Sequence, residues 1–215
     1  MTPAADAFAP LVRPVVAHYE RQLETHGATA RGMDWKDEAS QRLRFAVLCG
    51  VAPLEGRTLH EVGAGAGHLY DFLRERGIAA VYSGSDASAA MVAAARTRHP
   101  EARFEHRDVL DPGAGEHCDV VVGSGLFHVK LGADDRAWRT FVETGLARMF
   151  AACRVAVAVN LMSNQVDYRM PDLYYSNPGE MLEFCRRRLA RHVVLRHDYP
   201  LHEYTLYVYR EPQPA

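Results

Sequence analysis

The residues best suited to bind a small charged ligand lie between positions 61 and 67, where an acid precedes three alternating glycines. The segment reads Glu61, Val62, Gly63, Ala64, Gly65, Ala66, Gly67. Glycine allows backbone angles with positive φ and lets a ligand approach the main chain where a Cβ atom would collide. A carboxylate beside such a turn repels a pyrophosphate but suits a ligand that carries an ammonium or a sulfonium. The spacing also differs from the dinucleotide fingerprint G-x-G-x-x-G, because His68 occupies the third small position of that pattern.

Two further acids lie at the ends of predicted strands, where an open α/β sheet binds its ligands. Asp86 ends the second predicted strand and Asp108 follows the third. An acid after the second strand can accept hydrogen bonds from ribose hydroxyls, and one after the third can accept from an adenine amino group. Structural alternatives stay open, because Asp86 can cap the following helix, Asp108 can be an ordinary turn residue, and Asp111 stands nearby.

A glycine turn followed by two strand-end acids, in this order, resembles the arrangement found in class I S-adenosylmethionine (SAM)-dependent methyltransferases. Residues 61–67 resemble motif I of that family. The resemblance implies SAM as the cofactor and S-adenosylhomocysteine as the product, with Asp86 on the ribose and Asp108 on the adenine. The implied cofactor-binding residues are Arg44, Glu61, Gly63, Ala64, Gly65, Gly67, Asp86, Ala87, Asp108, Val109 and Ser124. A purely structural strand-to-helix turn is the alternative for the glycines.

Two residues before the first strand are candidates through the same resemblance. The family often uses an arginine from the upstream helix on the methionine carboxylate, and we favour Arg44 over Arg42 because Arg44 has apolar neighbours. A solvated helix face is the alternative for Arg44. Trp35 can cover the cofactor or the substrate, or it can pack the N-terminal helices.

Methyl transfer from a sulfonium is an in-line displacement, so the enzyme mainly aligns the nucleophile and the methyl group. An oxygen nucleophile usually also needs a base poised near neutral pH, which suits histidine. His128, after the fourth predicted strand, is the first candidate for this catalytic role. His197 is the second, with Asp198 placed to orient it or to act itself. Each histidine can instead make a structural hydrogen bond.

The substrate side is predicted to include a polar and aromatic segment, residues 163–180, which interrupts the strand–helix alternation after the fifth strand. Tyrosine offers a stacking face with a polar tip, which suits a small polar or aromatic ligand. The substrate-binding candidates are Trp35, Phe127, Tyr168, Tyr174 and Tyr175. Packing of the segment against the fold is the alternative.

The alternation of strands and helices predicts a Rossmann-like, doubly wound, mostly parallel α/β sheet. Two strands close in sequence, 193–196 and 204–209, are expected to pair antiparallel. The family resemblance implies seven strands with an antiparallel last strand. We interpret residues 1–215 as a single class I methyltransferase domain, with a helical N-terminal cap over 1–50 and a substrate-side loop over 163–180. The first helix is predicted over 5–26, with Pro14 marking a break or a first turn.

Composition narrows the class of protein. The chain has 215 residues, 48% of them hydrophobic, which suffices for one sizeable domain. A net charge of −2 argues against a nucleic-acid partner, and no apolar stretch is long enough to predict a membrane span. The N-terminus does not resemble a secretory signal. The four cysteines lack metal-binding spacing, so we expect reduced thiols, no metal and a cytoplasmic monomer or homodimer.

Two further features bear on the substrate. Segments 31–45, 166–178 and 196–210 resemble one subgroup of small bacterial methyltransferases to which we attach no substrate. The sequence N/D-P-P-Y/F/W is absent, which speaks against methylation of DNA bases. We therefore expect a SAM-dependent methyltransferase that acts on a small molecule, with oxygen rather than nitrogen as the acceptor. The alternatives are a protein or peptide methyltransferase and a catalytically inert SAM- or nucleotide-binding module that regulates a partner.

Overall fold

A β-sheet covered by helices forms the centre of the protein in the computed structural model, which describes residues 3–111 and 118–213. The strands are β1 Thr58–Val62, β2 Val81–Asp86, β3 Arg103–His106, β4 Cys118–Gly123, β5 Cys153–Ser163, the two-residue β6 Tyr175–Ser176, β7 His192–Arg196 and β8 Glu203–Tyr209. The helices are α1 Pro3–His26, α2 Glu38–Cys49, α3 His68–Glu75, α4 Ala89–Arg98, α5 Asp135–Ala152 and α6 Pro178–Arg188, with a 3-10 turn at Arg31–Met33.

The strand order is β3-β2-β1-β4-β5-β8-β7, and β6 pairs with the end of β5. Strands β1 to β5 are parallel, whereas β8 runs antiparallel to both β5 and β7. The predicted doubly wound, mostly parallel sheet is therefore confirmed, with a short eighth strand that the sequence did not indicate. The strand order reverses between β1 and β4, so the carboxyl ends of these strands flank the crevice where such sheets bind ligands.

Two hydrophobic cores lie on opposite faces of the sheet because successive side chains of a strand point to opposite sides. In β4, Val120 and Val122 pack with residues of α2, α3 and α4. Val121 packs instead with residues of α5 and α6, and with side chains of α1. The strand is thus apolar on both faces, which explains its uninterrupted hydrophobic sequence.

Helix α1 runs unbroken through Pro10 and Pro14, so the predicted break at Pro14 is wrong. A proline inside a helix removes one backbone hydrogen bond. Both prolines are exposed, so neither ring is packed into the core. No helix in the part of the chain that the structure describes is long and apolar enough to cross a membrane.

Helix α5 has Asp134 as its N-cap. The Asp134 carboxylate accepts hydrogen bonds from the backbone N–H groups of Arg136 and Ala137, both at 3.0 Å. This cap sets the start of the helix that supplies Trp138 and Phe141 to the sheet.

Replacing Asp134 by alanine should therefore lower the free energy of unfolding by about 1 kcal/mol, because two N–H groups lose their partner. Urea denaturation measures the change. Thr140→Ala, on the exposed face of the same helix, is the matched control and should cost nothing, since alanine favours helix. Equal losses in the two variants would contradict the capping role.

Candidate active site

The glycine turn between β1 and α3 adopts a backbone that side chains disfavour. Gly63, Gly65 and Gly67 have φ values of 73°, 53° and 83°. The N–H groups of Gly63 and Ala64 donate to the carbonyl of Ser85, at 2.8 and 3.0 Å, and so fasten the turn to β2. At Gly65 the positive φ favours glycine, and a Cβ atom would lie 2.7 Å from the sulfur of the flexible Met33 side chain, which would have to shift.

Asp86 joins this turn to the start of α4. One carboxylate oxygen accepts the Gly65 N–H at 2.9 Å and the other accepts the Ser88 N–H at 2.8 Å. Burial raises the pKa of Asp86, and these two donors oppose the rise. The N-cap of α4 is Ser88, whose hydroxyl accepts from Met91. Each Asp86 oxygen keeps a lone pair that can accept from a ligand hydroxyl.

Glu61 is a buried carboxyl group at the end of β1. The Tyr82 hydroxyl donates to it at 2.5 Å. Burial raises the pKa of Glu61 to about 8, although the hydrogen bond from Tyr82 acts in the opposite direction. Without a cationic neighbour Glu61 is thus mostly protonated at neutral pH, and a ligand ammonium would favour its charged form.

Asp108 makes hydrogen bonds within its own turn and also lines the cleft. Its side chain accepts from Leu110 N–H at 2.9 Å, and its own N–H donates to Asp111 at 3.2 Å. Burial raises the pKa of Asp108. The nearby Asp111 is therefore a partner within the turn, and Asp108 and Val109 face the cavity.

One open cleft collects most of the predicted residues at the carboxyl ends of the strands. Its lining includes Trp35, Glu61, Gly63, Ala64, Gly65, Asp86, Ala87, Asp108, Val109 and Ser124. A concave cleft that combines apolar walls with a few polar groups is typical of a small-molecule site. The buried hydroxyl of Ser124 has no hydrogen-bond partner among the described residues, so it is available to a bound polar group.

Sequence reasoning missed that α1 forms a wall of this cleft. Val12, Val15, Val16 and Tyr19 face the cavity, and the Glu20 carboxylate holds the helix to α4 by accepting the Ser88 hydroxyl at 2.9 Å. The apolar spacing of α1 was visible in the sequence, but spacing does not reveal what an apolar face covers. Further lining residues outside the prediction include Met33, Gln41, His68, Trp138 and Phe141.

Several predicted residues lie outside the cleft lining. Gly67 begins α3 and packs against His99 and Phe104. Phe127 is fully buried, and its carbonyl accepts from the Trp138 indole at 3.0 Å.

The three predicted tyrosines of the 163–180 segment differ in their surroundings. Tyr174 is buried in the core that contains α5 and α6. The Tyr175 hydroxyl accepts from the N–H of Met170 at 3.0 Å, whereas Tyr168 is 70% exposed. The structure does not bring these three side chains to the cavity, and their role toward a substrate stays a prediction.

The predicted bases occupy two different environments. His128 is buried, with Nε2 3.5 Å from a carboxylate oxygen of Glu203. Burial and the Arg44 charge lower the pKa of His128 to about 3, so the ring is neutral and a weak proton acceptor at neutral pH. His197 and Asp198 are exposed, and Arg196 binds the Asp198 carboxylate through two contacts of 3.0 Å. That pairing lowers the pKa of Asp198.

Arg44 lies behind Trp35 rather than in the cleft lining. Its guanidinium carbon is 4.3 Å from the centre of the indole ring, and its Nε is 2.8 Å from Glu203 Oε1. Its predicted contact with a methionine carboxylate stays a prediction.

Comparison with known proteins identifies the family. A family model described as a methyltransferase domain matches residues 60–144, which include the glycine turn, Asp86 and Asp108. A Mycobacterium tuberculosis protein named as a methyltransferase is 34% identical over 153 residues, which cover 70% of this chain and 92% of that protein. The chain belongs to the class I SAM-dependent methyltransferases.

Solved structures share the fold of this methyltransferase. The 1,6-didemethyltoxoflavin-N1-methyltransferase of Burkholderia thailandensis is 19% identical with a TM-score of 0.61, and the match covers 94% of this chain and 90% of that chain. The magnesium protoporphyrin IX methyltransferase of Synechocystis PCC 6803, solved with SAM, is 13% identical with a TM-score of 0.59, and the match covers 80% of each chain. At these identities the likeness concerns the fold alone.

Substitution of Gly125 tests whether Trp35 packs against it in the cleft wall. The φ of Gly125 is 66°, and a Cβ atom there would overlap the Trp35 ring. Gly125→Ala should lower the free energy of unfolding by about 2 kcal/mol more than Gly56→Ala does. Gly56 is the matched control, since its φ is 70° and nothing lies within 4 Å of the new Cβ. Urea denaturation compares the two variants.

The double variant Gly125→Ala/Trp35→Ala should recover most of that extra loss, because it removes the ring that the new methyl group meets. An equal cost for the two single variants would show that Trp35 does not pack on Gly125.

Proposed function

We propose that this methyltransferase transfers the methyl group of SAM to a small-molecule acceptor. The observation that carries the proposal is the convergence of Glu61, Asp86 and Asp108 on one cleft beside the glycine turn. Two proteins of the same fold are named for the methylation of 1,6-didemethyltoxoflavin and of magnesium protoporphyrin IX, which supports a small acceptor. The enclosing wall of α1 argues against a protein or peptide acceptor, which would favour a shallow open groove.

The residues present fit SAM. Asp86 has free lone pairs for the ribose hydroxyls, Asp108 can accept from the adenine amino group, and Ala87 and Val109 would flank the base. Gly63 and Gly65 line the cleft, and the buried Glu61 suits the ammonium of the amino-acid end. The unpartnered hydroxyl of Ser124 would gain a polar neighbour. When bound, SAM supplies an electrophilic methyl group.

The protein's own contribution to the reaction would be alignment and exclusion of water. The apolar side chains of α1 and α5 close the cleft on one side, so the reacting groups would be held with few competing water molecules. Such positioning can supply a large part of the acceleration of a displacement reaction.

For the acceptor we propose an oxygen atom that is ionised before it binds, such as a carboxylate or an acidic phenol. The pKa of about 3 makes His128 a poor base, and the exposed Asp198 is paired with Arg196. Alcohols and alkylammonium ions must lose a proton before they attack, whereas a carboxylate needs no such step.

Calorimetric titration with SAM and S-adenosylhomocysteine, with NAD as a control, tests the cofactor first. Asp86→Ala should weaken the affinity for both sulfur compounds by at least about tenfold, which is roughly the loss of one charged hydrogen bond. Asp119→Ala is the matched control because Asp119 also accepts a backbone N–H, that of Thr58, at the opposite end of β1. Unchanged affinity in Asp86→Ala would remove Asp86 from the ribose role, and NAD binding would overturn the cofactor assignment.

A screen of carboxylates, phenols, alcohols and amines with isotopically labelled SAM then tests the acceptor. Transfer to carboxylates or acidic phenols supports the proposal. Transfer only to amines would contradict it, and SAM binding without transfer to any small molecule or peptide would favour the inert regulatory module.

Cofactor binding should release a proton near pH 7 if Glu61 faces the ammonium group. The pKa of about 8 leaves Glu61 mostly protonated, and a neighbouring cation lowers that pKa, so binding displaces nearly one proton. The affinity for S-adenosylhomocysteine should accordingly strengthen as the pH rises toward about 8 and then level off. Calorimetry in buffers of different ionisation enthalpy measures the release. Glu61→Gln should abolish it, and an equal release in that variant would place the titrating group elsewhere.

A further inference from the structure

We infer that Glu203, a buried carboxylate on β8, is a positioning residue that fixes two parts of the cleft wall at once. This inference rests on the proposed function, because it concerns the wall against which the cofactor would bind. Glu203 is fully buried, does not line the cleft and belongs to none of the predicted sites. Burying a carboxylate costs several kcal/mol unless charged and hydrogen-bonding groups surround it. Its neighbours therefore indicate what it holds.

The first connection runs through Asn160 to the loop after β4. Asn160 is 1% exposed, and its side-chain nitrogen donates to Glu203 Oε2 at 3.0 Å. Its side-chain oxygen accepts from the backbone N–H of Gly125 at 2.8 Å. The carboxylate can only accept and the backbone N–H can only donate, so both bonds require this one orientation of the amide. Glu203 thereby orients Asn160, and Asn160 fixes Gly125.

The second connection runs through Arg44 to Trp35. Arg44 Nε and Glu203 Oε1 are 2.8 Å apart, a close ion pair that is not aligned as a hydrogen bond. The guanidinium lies over the indole of Trp35, with its carbon 4.3 Å from the ring centre. His128 packs edge-on against the same indole, with ring centres 6.0 Å apart. The position of Trp35 therefore depends on where Glu203 holds Arg44.

The two connections meet again at the cleft, because the Trp35 ring lies directly against Gly125. The contacts form a closed circuit of Glu203, Asn160, Gly125, Trp35 and Arg44, which we call the Glu203 ring. Two of its members, Gly125 and Trp35, line the cavity. A change at Glu203 should thus reach the cavity by two routes without any contact between Glu203 and the cofactor.

Residues close to Gly125 and Trp35 in the chain contact the glycine turn, so a displacement of Gly125 or Trp35 would also move that turn. Leu126 follows Gly125 and packs on Gly63, and Met33, two residues before Trp35, packs on Gly65. The Glu203 ring also joins two of the three segments, 31–45 and 196–210, that resemble one subgroup of methyltransferases.

The test compares the full-length protein with Glu203→Gln, which keeps the shape of the side chain but removes its charge. Acrylamide quenching of tryptophan fluorescence in the ligand-free protein measures the accessibility of Trp35. The same measurement in a Trp35→Phe background gives the contribution of Trp138. Calorimetry gives the affinity for S-adenosylhomocysteine, and urea denaturation gives the stability. Glu183→Gln is the matched control, since it removes the exposed ion pair with Arg187.

We expect Glu203→Gln to make Trp35 more accessible to acrylamide and to weaken the affinity for S-adenosylhomocysteine on the order of tenfold. The control should change neither quantity. Glu203→Asp keeps the charge on a shorter side chain and should fall between the wild type and Glu203→Gln in both measurements. A purely structural role would lower the stability without moving Trp35 accessibility or affinity in the folded variant.

Unchanged quenching and unchanged affinity in a folded Glu203→Gln protein would overturn the inference. If Glu203→Gln does not fold, Glu203→Asp decides by the same two readouts. Failure of the wild type to bind S-adenosylhomocysteine would instead overturn the proposed function. The quenching measurement needs no ligand, so it would still test the Glu203 ring.

Discussion

The hydrogen bond between the Gly65 N–H and the Asp86 carboxylate is the contact on which the site depends. It fastens the glycine turn, which follows β1, to the end of β2, while the Ser85 carbonyl holds Gly63 and Ala64. The geometry is possible only because glycine tolerates positive φ, and because neighbouring parallel strands bring their carboxyl ends together. A carboxylate committed to two backbone N–H groups has little freedom to move, so the turn and the acid form one preorganised unit.

Burial shapes the electrostatics of the whole region. Glu61, Asp86, Asp108 and Glu203 all have raised pKa values, and burial is the main cause in each case. Carboxyl groups that are costly to ionise in a dry pocket become favourable partners for donors and cations that enter it. His128 follows the same rule with the opposite sign, because burial favours its neutral form. One low-dielectric environment therefore both prepares the acids for a ligand and weakens the histidine as a base.

Sequence reasoning succeeded where local pattern decides structure. It predicted the mostly parallel sheet, the antiparallel pairing of its last two strands, and the placement of Glu61, Asp86 and Asp108 at one edge, because strand pattern and chain order determine these features. It failed where distant segments meet. No pattern shows that α1 covers the cleft, that Phe127 and Tyr174 belong to the core, or that Arg44 faces a carboxylate on β8. Such features follow from the packing of elements, which periodicity does not specify.

The position of β8 has a consequence for how the protein is made. Among the described strands β8 comes latest along the chain, yet it lies inside the sheet between β5 and β7. Its Tyr207 hydroxyl donates to the carbonyl of Val47, 160 positions earlier. A nascent chain must therefore keep the edge of β5 that pairs with β8 unpaired until β8 has been synthesised, and such long-range pairing is slow to form. A chain that ends before β8 would lack Glu203 as well as the strand, so the Glu203 ring could not form.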